Sequence, residues 1–326
     1  MVVAVAVLLK QAGGPDELRV GNVELPPPGA GEVRLRQTAI GVNYHDIYVR
    51  SGLYQTLALP GVPGVEAVGV VTSVGPEVEH VKSGDRIGYV SGRYGAYAAE
   101  RNLPADLAIK LPDMLDDAPA AASFMKALTV CMLVRRIHSI TAGEAVLVHA
   151  AAGGVGRLLC SWAAHLGATV IGTVGSAAKA DVAREAGAAH IVFYRDEDVA
   201  ARVAEVTGGE GVAVAYDSVG ADTFLASMNS LGFGGRLVIF GQSSGPVAPF
   251  SPASLAVRSL SVSRPIVFHY LRTPERLRAM AAETFAAFRD GVIRPIKPLT
   301  LPLAEAAEAH RVLEARQSPG GVVLIP

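Results

Sequence analysis

A short glycine-rich segment in the middle of the chain has the composition of a phosphate-binding turn. Its sequence, AAGGVG at residues 151–156, follows an apolar run at residues 145–150 and precedes a helical pattern at residues 155–166. A buried strand that turns through glycines into a helix gathers unpaired backbone N–H groups at the positive end of the helix dipole. The glycines also let the backbone approach a pyrophosphate without a Cβ in the way. We therefore expect a dinucleotide cofactor to contact Ala152, Gly153, Gly154 and Val155.

The second strand pattern of this region indicates which nicotinamide dinucleotide binds. An acidic residue at the end of that strand would accept from the ribose 2′-hydroxyl and select NAD. Here residues 169–174 are followed by Gly175 and Ser176, with Lys179 three residues later and no acidic residue. One close charge pair would favour a 2′-phosphate by about 4 kcal/mol before desolvation. We predict NADPH; the alternative is that Ser176 only caps a helix and Lys179 is a solvated surface residue.

Further candidates for cofactor contacts stand where the other strand patterns end. Ligands of open α/β sheets bind outside the carboxyl ends of the strands. Tyr194, with Arg195 beside it, follows the third strand pattern and could stack on the adenine. The residues after the fourth and fifth strand patterns are Ser218, Phe240, Gly241, Ser243 and Ser244. We expect their backbone groups and hydroxyls to hold the nicotinamide carboxamide and ribose.

Two different strand patterns predict two domains and the α/β class. Strand and helix patterns alternate over residues 145–264, which predicts a parallel, doubly wound sheet of Rossmann type. Residues 1–125 instead show short strand patterns separated by glycine and proline, which indicate a partly open barrel. Within them, residues 95–99 are expected to form a strand and residues 44–51 the only helix of the first hundred residues. The alanine-rich stretch after residue 118 predicts two helices.

The last part of the chain returns to the first domain. Residues 265–326 contain a long amphipathic helix, a strand pattern, a second helix and a final strand pattern. They cannot extend the Rossmann sheet by another clean βαβ unit, so we assign them to the β-rich domain. The predicted division is residues 1–125 together with 265–326, and residues 126–264.

Composition narrows the class of protein. The formal net charge of the 326 residues is −1, with no basic block, which argues against nucleic acid or an anionic membrane as the main partner. The sequence contains no run of about 18 apolar residues, so it predicts no transmembrane helix. Two cysteines, Cys131 and Cys160, cannot form a disulfide framework or a four-thiolate zinc site. These features favour a soluble cytoplasmic protein.

Several motifs together resemble one known family. They include GVNYHDIYVRSGLY at residues 41–54, AAASFMKALTV at 120–130, HAAAGGVG at 149–156 and VIFGQSSG at 238–245. In this order and over nearly the whole length, the chain resembles the zinc-free quinone oxidoreductases of the medium-chain dehydrogenase/reductase superfamily, the zeta-crystallin type. The resemblance implies a GroES-like catalytic domain, a Rossmann domain that binds NADPH, and a homodimer.

The resemblance also indicates which residues of this sequence would have to bind a catalytic metal. Zinc-dependent alcohol dehydrogenases of the superfamily have a zinc-binding Cys where Asn43 stands and a zinc-binding His where Val65 stands. Of that shell only Glu66 remains, whereas catalytic zinc needs about three protein ligands. We predict no metal. Without a Lewis acid, the expected substrate is an acceptor that is already electrophilic, such as a quinone or an activated enone.

The resemblance assigns roles to residues outside the glycine-rich segment. It implies that Asn43 and Tyr48 lie near the nicotinamide and the substrate carbonyl, where an amide or phenol hydrogen can donate to the developing oxyanion. Tyr54 is expected to stack on flat acceptors. The alternatives are a turn residue for Asn43, a packed barrel tyrosine for Tyr48 and loop packing for Tyr54. Further cofactor contacts implied by the family are Lys126, Thr129, Arg264 and Arg316.

Three functions stay open at this point. The leading expectation is NADPH-dependent reduction of quinones. A close alternative is an NADPH-dependent alkenal or enone reductase, which needs nearly the same residues. A different class is an NADPH-binding structural or RNA-binding protein with weak catalysis. The strand pattern at residues 260–264 would lie at an edge of the Rossmann sheet, and we expect a homodimer to form there.

Overall fold

The computed structural model describes all residues from Met1 to Pro326 and contains fifteen strands and nine α-helices. The strands are β1 (Val2–Leu9), β2 (Leu18–Leu25), β3 (Glu32–Val42), β4 (Glu66–Val74), β5 (Arg86–Val90), β6 (Glu100–Pro104), β7 (Ile109–Lys110), β8 (Ala145–Val148), β9 (Thr169–Val174), β10 (His190–Phe193), β11 (Val212–Asp217), β12 (Leu231–Ile239), β13 (Ser261–Ser263), β14 (Leu299–Pro302) and β15 (Val322–Ile325). The helices are α1 (Tyr44–Arg50), α2 (Asp117–Met132), α3 (Gly154–His165), α4 (Ala177–Glu185), α5 (Val199–Val206), α6 (Phe224–Ser230), α7 (Val267–Tyr270), α8 (Pro274–Arg289) and α9 (Ala306–Glu314).

The chain forms two compact units. The first unit comprises residues 1–126, 271–289 and 295–326, and the second comprises residues 127–270 and 290–294. The C-terminal strand β15 pairs antiparallel with β3, so the last residues of the chain complete the β-rich unit.

The first unit is built around one seven-stranded sheet and a separate two-stranded ribbon. The sheet has the order β14-β15-β3-β4-β5-β7, with β6 paired to β3, and the ribbon is β1 with β2. Strand β3 is long and almost wholly buried because it pairs with β15, β4 and β6 along its length. Its inward side chains, among them Leu35 and Ile40, pack with Tyr89 in one apolar core. This core supports helix α1, which directly follows β3.

The second unit is a six-stranded parallel sheet of Rossmann type. Its order is β10-β9-β8-β11-β12-β13, and every neighbouring pair is parallel. Strand β8 is a continuous apolar run and β9 is almost wholly buried, because both faces of a parallel sheet are covered. The strand order reverses between β8 and β11, and ligands of such sheets bind at the carboxyl ends beside this reversal. The α/β class predicted from the sequence is confirmed.

Two predictions about local structure are wrong. Residues 95–99 form only an isolated bridge, at Ala98, because Gly95 has a left-handed φ of 91° and the Gln37 side-chain amide takes the carbonyls of Ala96 and Ala98. The strand in this region is β6, which pairs with β3.

The alanine-rich stretch forms one helix instead of two. Helix α2 continues through a π-helical turn, Leu133–Ile137, because no glycine or proline interrupts it after Pro119. The combined segment Asp117–Ile137 is long and apolar enough to cross a membrane, but 83% of its most apolar window is buried inside the protein. It is therefore a core helix.

Candidate functional site

Helix α1 begins directly after β3, and the cap of its first turn positions Asn43. The Oδ2 atom of Asp46 accepts a hydrogen bond from the backbone N–H of Asn43 at 2.8 Å. This contact belongs to a capping box, in which the third helical residue satisfies the backbone of the cap residue. The Asp46 carboxylate therefore fixes the backbone of the residue that precedes α1. The capping box fixes the backbone of Asn43, and contacts with other residues orient its side chain.

The side-chain amide of Asn43 is clamped between a carboxylate and an ammonium group. Its Nδ2 donates to Glu66 Oε1 at 2.7 Å, and its Oδ1 accepts from Lys126 Nζ at 3.2 Å. The other oxygen of Glu66 accepts from the backbone N–H of Met125 at 2.9 Å. Because an acceptor faces one end of the amide and a donor the other, the orientation of the amide is fixed. An amide nitrogen has two hydrogens, and the second can be donated to a ligand.

Burial makes this cluster electrostatically sensitive. Desolvation raises the pKa of Asp46 to about 7, and the nearby Glu66 carboxylate adds to the rise, while the Asn43 N–H opposes it. Desolvation also raises the pKa of Glu66 and lowers the pKa of Lys126, and the attraction between these two groups opposes both shifts. The cluster fits closely, since a Cβ at Gly41 would lie 2.5 Å from Glu66 Oε1. One buried cation therefore stands among two buried carboxyl groups.

Aromatic side chains form a second cluster in the first unit. The rings of Tyr48 and Tyr54 meet edge to face with centroids 5.1 Å apart, and His45 lies 5.6 Å from Tyr54. The ring of Tyr94 stacks on His45, and its hydroxyl lies 3.1 Å from His45 Nε2. Tyr94 has a left-handed φ of 52°, which is uncommon for an aromatic residue and held here by the hydroxyl contacts with His45 and Thr56. The structure thus brings Tyr48 and Tyr54 together, and their roles toward the acceptor stay predictions.

In the second unit, the glycine-rich segment forms the turn between β8 and α3. The backbone N–H of Gly153 donates to the Ala150 carbonyl at 2.8 Å, and a Cβ at Gly156 would lie only 2.2 Å from the same oxygen. Ala150 itself has a left-handed φ of 52°. No side chain caps the first turn of α3, which starts at Gly154. Its first backbone N–H groups can therefore serve a bound anion.

The turn after β9 presents a second helix N-terminus. Ser176 is the cap residue of α4, but its side chain makes no capping hydrogen bond. The roles of Ser176 and Lys179 in binding a 2′-phosphate stay predictions. Ser176 and Lys179 are both exposed, and a Cβ at Gly175 would lie 2.9 Å from the Tyr194 hydroxyl. The guanidinium carbon of Arg195 lies 6.0 Å from the centre of the Tyr194 ring.

The turns after β11 and β12 are joined by backbone hydrogen bonds. Phe240 N donates to Asp217 O at 2.8 Å, and Ser243 N donates to Ser218 O at 3.2 Å. A Cβ at Gly241 would lie 2.6 Å from the Ser218 carbonyl, so only glycine fits there. The hydroxyl of Ser244 donates to the Val219 carbonyl at 2.8 Å. The structure brings these predicted residues together but uses the Ser244 hydroxyl to build the turn.

The remaining predicted residues are dispersed. Thr129 is half-buried on α2. Arg264 is exposed after β13, and its Nη1 donates to the Ile239 carbonyl at 3.1 Å. Arg316 belongs to the first unit and has a left-handed φ of 59°; burial raises the pKa of Tyr44, and the charge of the nearby Arg316 opposes that rise. Roles in phosphate binding for these residues stay predictions.

Lys126, Tyr48 and Tyr54 are among the predicted site residues, but local sequence patterns do not reveal that Glu66 holds the Asn43 amide. Nor do they single out Tyr94 and Thr56, whose hydroxyls contact each other. Their contacts join residues that are far apart in sequence, so no local spacing reveals them. A buried acidic residue before an apolar strand is the one signal that could have drawn attention to Glu66.

Comparisons with known proteins agree with this architecture. The profile described as "Zinc-binding dehydrogenase" matches residues 154–285, and the profile "Alcohol dehydrogenase GroES-like domain" matches residues 29–113. A quinone oxidoreductase of Salmonella typhimurium is 44% identical over 96% of this chain and 97% of its own length. A 2-haloacrylate reductase of a Burkholderia species is 41% identical over 98% of both chains. The crystal structure of an Escherichia coli quinone oxidoreductase complexed with NADPH superposes with a TM-score of 0.96 and 42% identity, over 99% of this chain and 100% of that chain.

The zinc that the first profile implies does not fit the residues of this chain. The Asn43 amide and both Glu66 oxygens are engaged in hydrogen bonds, and Val65 offers no ligand atom. No group of three or more His, Cys, Asp or Glu side chains is arranged to hold a metal ion. Catalytic zinc requires about three such ligands. The side chains of the first unit therefore do not provide a catalytic zinc site.

Proposed function

Because the chain belongs to the quinone oxidoreductases of the medium-chain dehydrogenase/reductase superfamily, we propose that it reduces quinones with NADPH and without a metal. The observation that carries this proposal is the Asn43 amide held between Glu66 and Lys126. A fixed amide donor beside a buried cation can stabilise negative charge on a carbonyl oxygen. The cluster stands where zinc-dependent relatives hold their metal.

The second unit has the features required to hold NADPH. The uncapped first turn of α3 and the glycine-rich turn before it suit the pyrophosphate, with Ala152, Gly153, Gly154 and Val155 as the contact residues. Gly175, Ser176 and Lys179 suit the 2′-phosphate, because an uncapped helix start, a hydroxyl and an ammonium stand together there. When bound, the nicotinamide supplies the hydride.

Other residues complete the proposed cofactor contacts. Tyr194 would contact the adenine, and the turns after β11 and β12 would hold the nicotinamide end. The residues we assign there are Ser218, Phe240, Gly241, Ser243 and Ser244. The family resemblance adds Lys126, Thr129, Arg264 and Arg316.

The first unit acts on the acceptor. The second amide hydrogen of Asn43 is donated to the acceptor carbonyl, and the Lys126 ammonium keeps the Asn43 dipole oriented for this donation. Tyr48 adds a phenol hydrogen, and the ring of Tyr54, packed edge to face against Tyr48, offers one aromatic face to a planar acceptor. The first unit is thus the catalytic domain and the second the NADPH-binding domain.

A homodimer in the cytoplasm is the proposed working form. Strand β13 pairs only with β12 and leaves one edge of the Rossmann sheet without a neighbouring strand. Near this edge, the Gly234 N–H donates to the Arg258 carbonyl, and the adjacent Phe233 and Val257 are 87% and 78% exposed. Exposed apolar side chains beside an open strand edge favour association with a second copy.

A panel of acceptors tests the proposed reaction and separates it from its nearest alternative. The 41% identity to a 2-haloacrylate reductase favours reduction of activated alkenes as the second candidate. NADPH oxidation at 340 nm should be fast with 1,4-benzoquinone and slow with 2-chloroacrylate and 2-hexenal. A preference for the alkenes would replace the proposed function with the second candidate. NADPH binding without oxidation by any acceptor would favour the structural class.

A further inference from the structure

A buried polar network lies directly behind the glycine-rich turn of the second unit. His149 follows the last residue of β8, and its Nδ1 lies 3.1 Å from the Thr173 hydroxyl on β9. Its Nε2 lies 3.0 Å from the Ser227 hydroxyl on α6. His149, Thr173 and Ser227 are each at most 1% exposed. A fully buried imidazole with a partner at both nitrogens has a defined role in the structure, since an unpaired buried group would be costly.

The network ends on a buried carboxylate. The Ser227 hydroxyl donates to Asp217 Oδ2 at 2.8 Å, and the Thr223 hydroxyl contacts both oxygens of Asp217. The backbone N–H groups of Val219 and Gly220 donate to Asp217 Oδ1 at 2.8 and 3.0 Å. Every partner of Asp217 is a donor, so its side chain acts as the acceptor in which the network terminates.

The other end of the network reaches the phosphate-binding turn. The backbone N–H of Ala150 donates to the Thr173 hydroxyl oxygen at 3.4 Å, and Ala151 N donates to the Thr173 carbonyl at 3.0 Å. Ala150 is the residue with the left-handed φ of 52°, a conformation that costs free energy for alanine and must be held by its surroundings. Thr173 holds it on one side, and Gly153 holds its carbonyl on the other.

When the His149 ring is neutral, the hydrogens of this network have only one consistent direction. The single hydroxyl hydrogen of Ser227 is donated to Asp217, so Ser227 Oγ must accept the hydrogen of His149 Nε2. His149 Nδ1 then carries a lone pair and accepts the single hydroxyl hydrogen of Thr173. Thr173 Oγ1 is left to accept from the Ala150 N–H. The direction therefore runs from Ala150 through Thr173, His149 and Ser227 to Asp217.

We propose that His149, as the neutral tautomer with its hydrogen on Nε2, is a positioning residue that fixes the phosphate-binding turn through Thr173. This inference rests on the proposed binding of NADPH at that turn. Burial lowers the pKa of His149 while the Asp217 carboxylate opposes the shift, which agrees with a neutral ring. The pyrophosphate is common to NADPH and NADH, so the network sets the affinity for both dinucleotides equally.

Thr173 offers a matched pair of variants for the test. Thr173→Val keeps the shape but removes the hydroxyl, whereas Thr173→Ser keeps the hydroxyl. We expect Thr173→Val to raise the Kd of NADPH and of NADH about tenfold, as measured by fluorescence titration. Thr173→Ser should stay within about threefold of the unmodified protein. A Thr173→Val effect no larger than that of Thr173→Ser, or one confined to NADPH, would overturn the proposal.

The tautomer of His149 provides a second measurement that needs no variant and no cofactor. The ¹⁵N chemical shifts of its two ring nitrogens should show a lone pair on Nδ1 and a hydrogen on Nε2, at pH 7. The opposite tautomer or a charged ring overturns the hydrogen-bond chain, even if Thr173→Val does not fold. If the unmodified protein binds neither dinucleotide, the proposed function fails, and the ¹⁵N shifts still decide the role of His149.

Discussion

The ammonium nitrogen of Lys126 donates a hydrogen bond to the amide oxygen of Asn43 across 3.2 Å, inside the first unit. The two residues are far apart in sequence, and Glu66 completes the contact by accepting from the other end of the amide. A positive charge and a fixed N–H donor thus stand side by side in the first unit. We propose that this arrangement acts on the electrophilic carbonyl of the acceptor without a metal.

Removal of the Asn43 amide should affect the chemical step more than cofactor binding. Loss of one preorganised donor to an oxyanion typically lowers the rate by about 10²–10³. We expect Asn43→Ala to lower kcat with 1,4-benzoquinone about 100-fold, with the KM for NADPH changed less than about threefold. Steady-state kinetics measures both. Asn22→Ala, at an exposed position of β2, is the matched control and should have no effect. A normal kcat in Asn43→Ala would remove Asn43 from the catalytic site.

Charge reversal at Lys179 should discriminate between the two nicotinamide dinucleotides. Lys179 lies in the first turn of α4, near the cap residue Ser176, whose side chain makes no capping hydrogen bond. A carboxylate there would repel a 2′-phosphate and leave a 2′-hydroxyl almost unaffected. We expect Lys179→Glu to raise the KM for NADPH at least about tenfold more than the KM for NADH. Lys10→Glu, another exposed lysine, serves as control. Equal effects on both cofactors would place the 2′-phosphate elsewhere.

Burial of Asp46 predicts how stability depends on pH. Its pKa is about 7 in the folded protein against 3.8 for the ordinary carboxyl. Between these values the folded state keeps a proton that the unfolded state has lost, so the Asp46 contribution to stability is full below pH 3.8 and lost as pH rises to 7. A pKa shift of about three units changes the free energy of unfolding by about 4 kcal/mol at most.

The isosteric variant Asp46→Asn isolates this effect. The difference in unfolding free energy, Asp46→Asn minus unmodified protein, should increase as pH rises from 4 to 7 and then stay level. Urea unfolding at a series of pH values gives this difference. Asp181→Asn, at an exposed position, should show no such trend. A pH-independent difference for Asp46→Asn would mean that the buried carboxyl stays ionised in the folded protein.

The proposed dimer can be tested at its exposed apolar residues. Phe233 is 87% exposed beside the β13 edge, and a carboxylate there would oppose the burial of this surface. We expect the unmodified protein to sediment as a dimer at micromolar concentration and Phe233→Glu to sediment as a monomer. Val20→Glu, at an exposed position of β2 in the first unit, should remain dimeric. A monomeric unmodified protein would contradict the proposal.

Much of the fold is visible in the sequence because local patterns determine it. The alternation of apolar runs and helix patterns predicts the parallel sheet, and Gly153, Gly154 and Gly156 mark the turn before α3. The strand expected at residues 95–99 fails because the Gln37 side chain takes its carbonyl groups. Such a contact between distant residues overrides a local pattern.

The site is less visible in the sequence than the fold. Asn43 was identified only through family resemblance, and its partners Glu66 and Lys126 meet it across three separate elements. The role of His149 was missed, since a lone histidine after a strand is usually just packed in the core. Only the two hydroxyl partners, brought to it by β9 and α6, give its ring a defined tautomer.

The most direct test of the account is NADPH oxidation by protein from which metal has been removed. The protein is dialysed against a strong chelator, its residual zinc is measured, and the loss of absorbance at 340 nm is followed with 1,4-benzoquinone. We expect the same rate before and after chelation and no gain on addition of zinc. A rate that falls with chelation and returns with zinc would contradict this expectation.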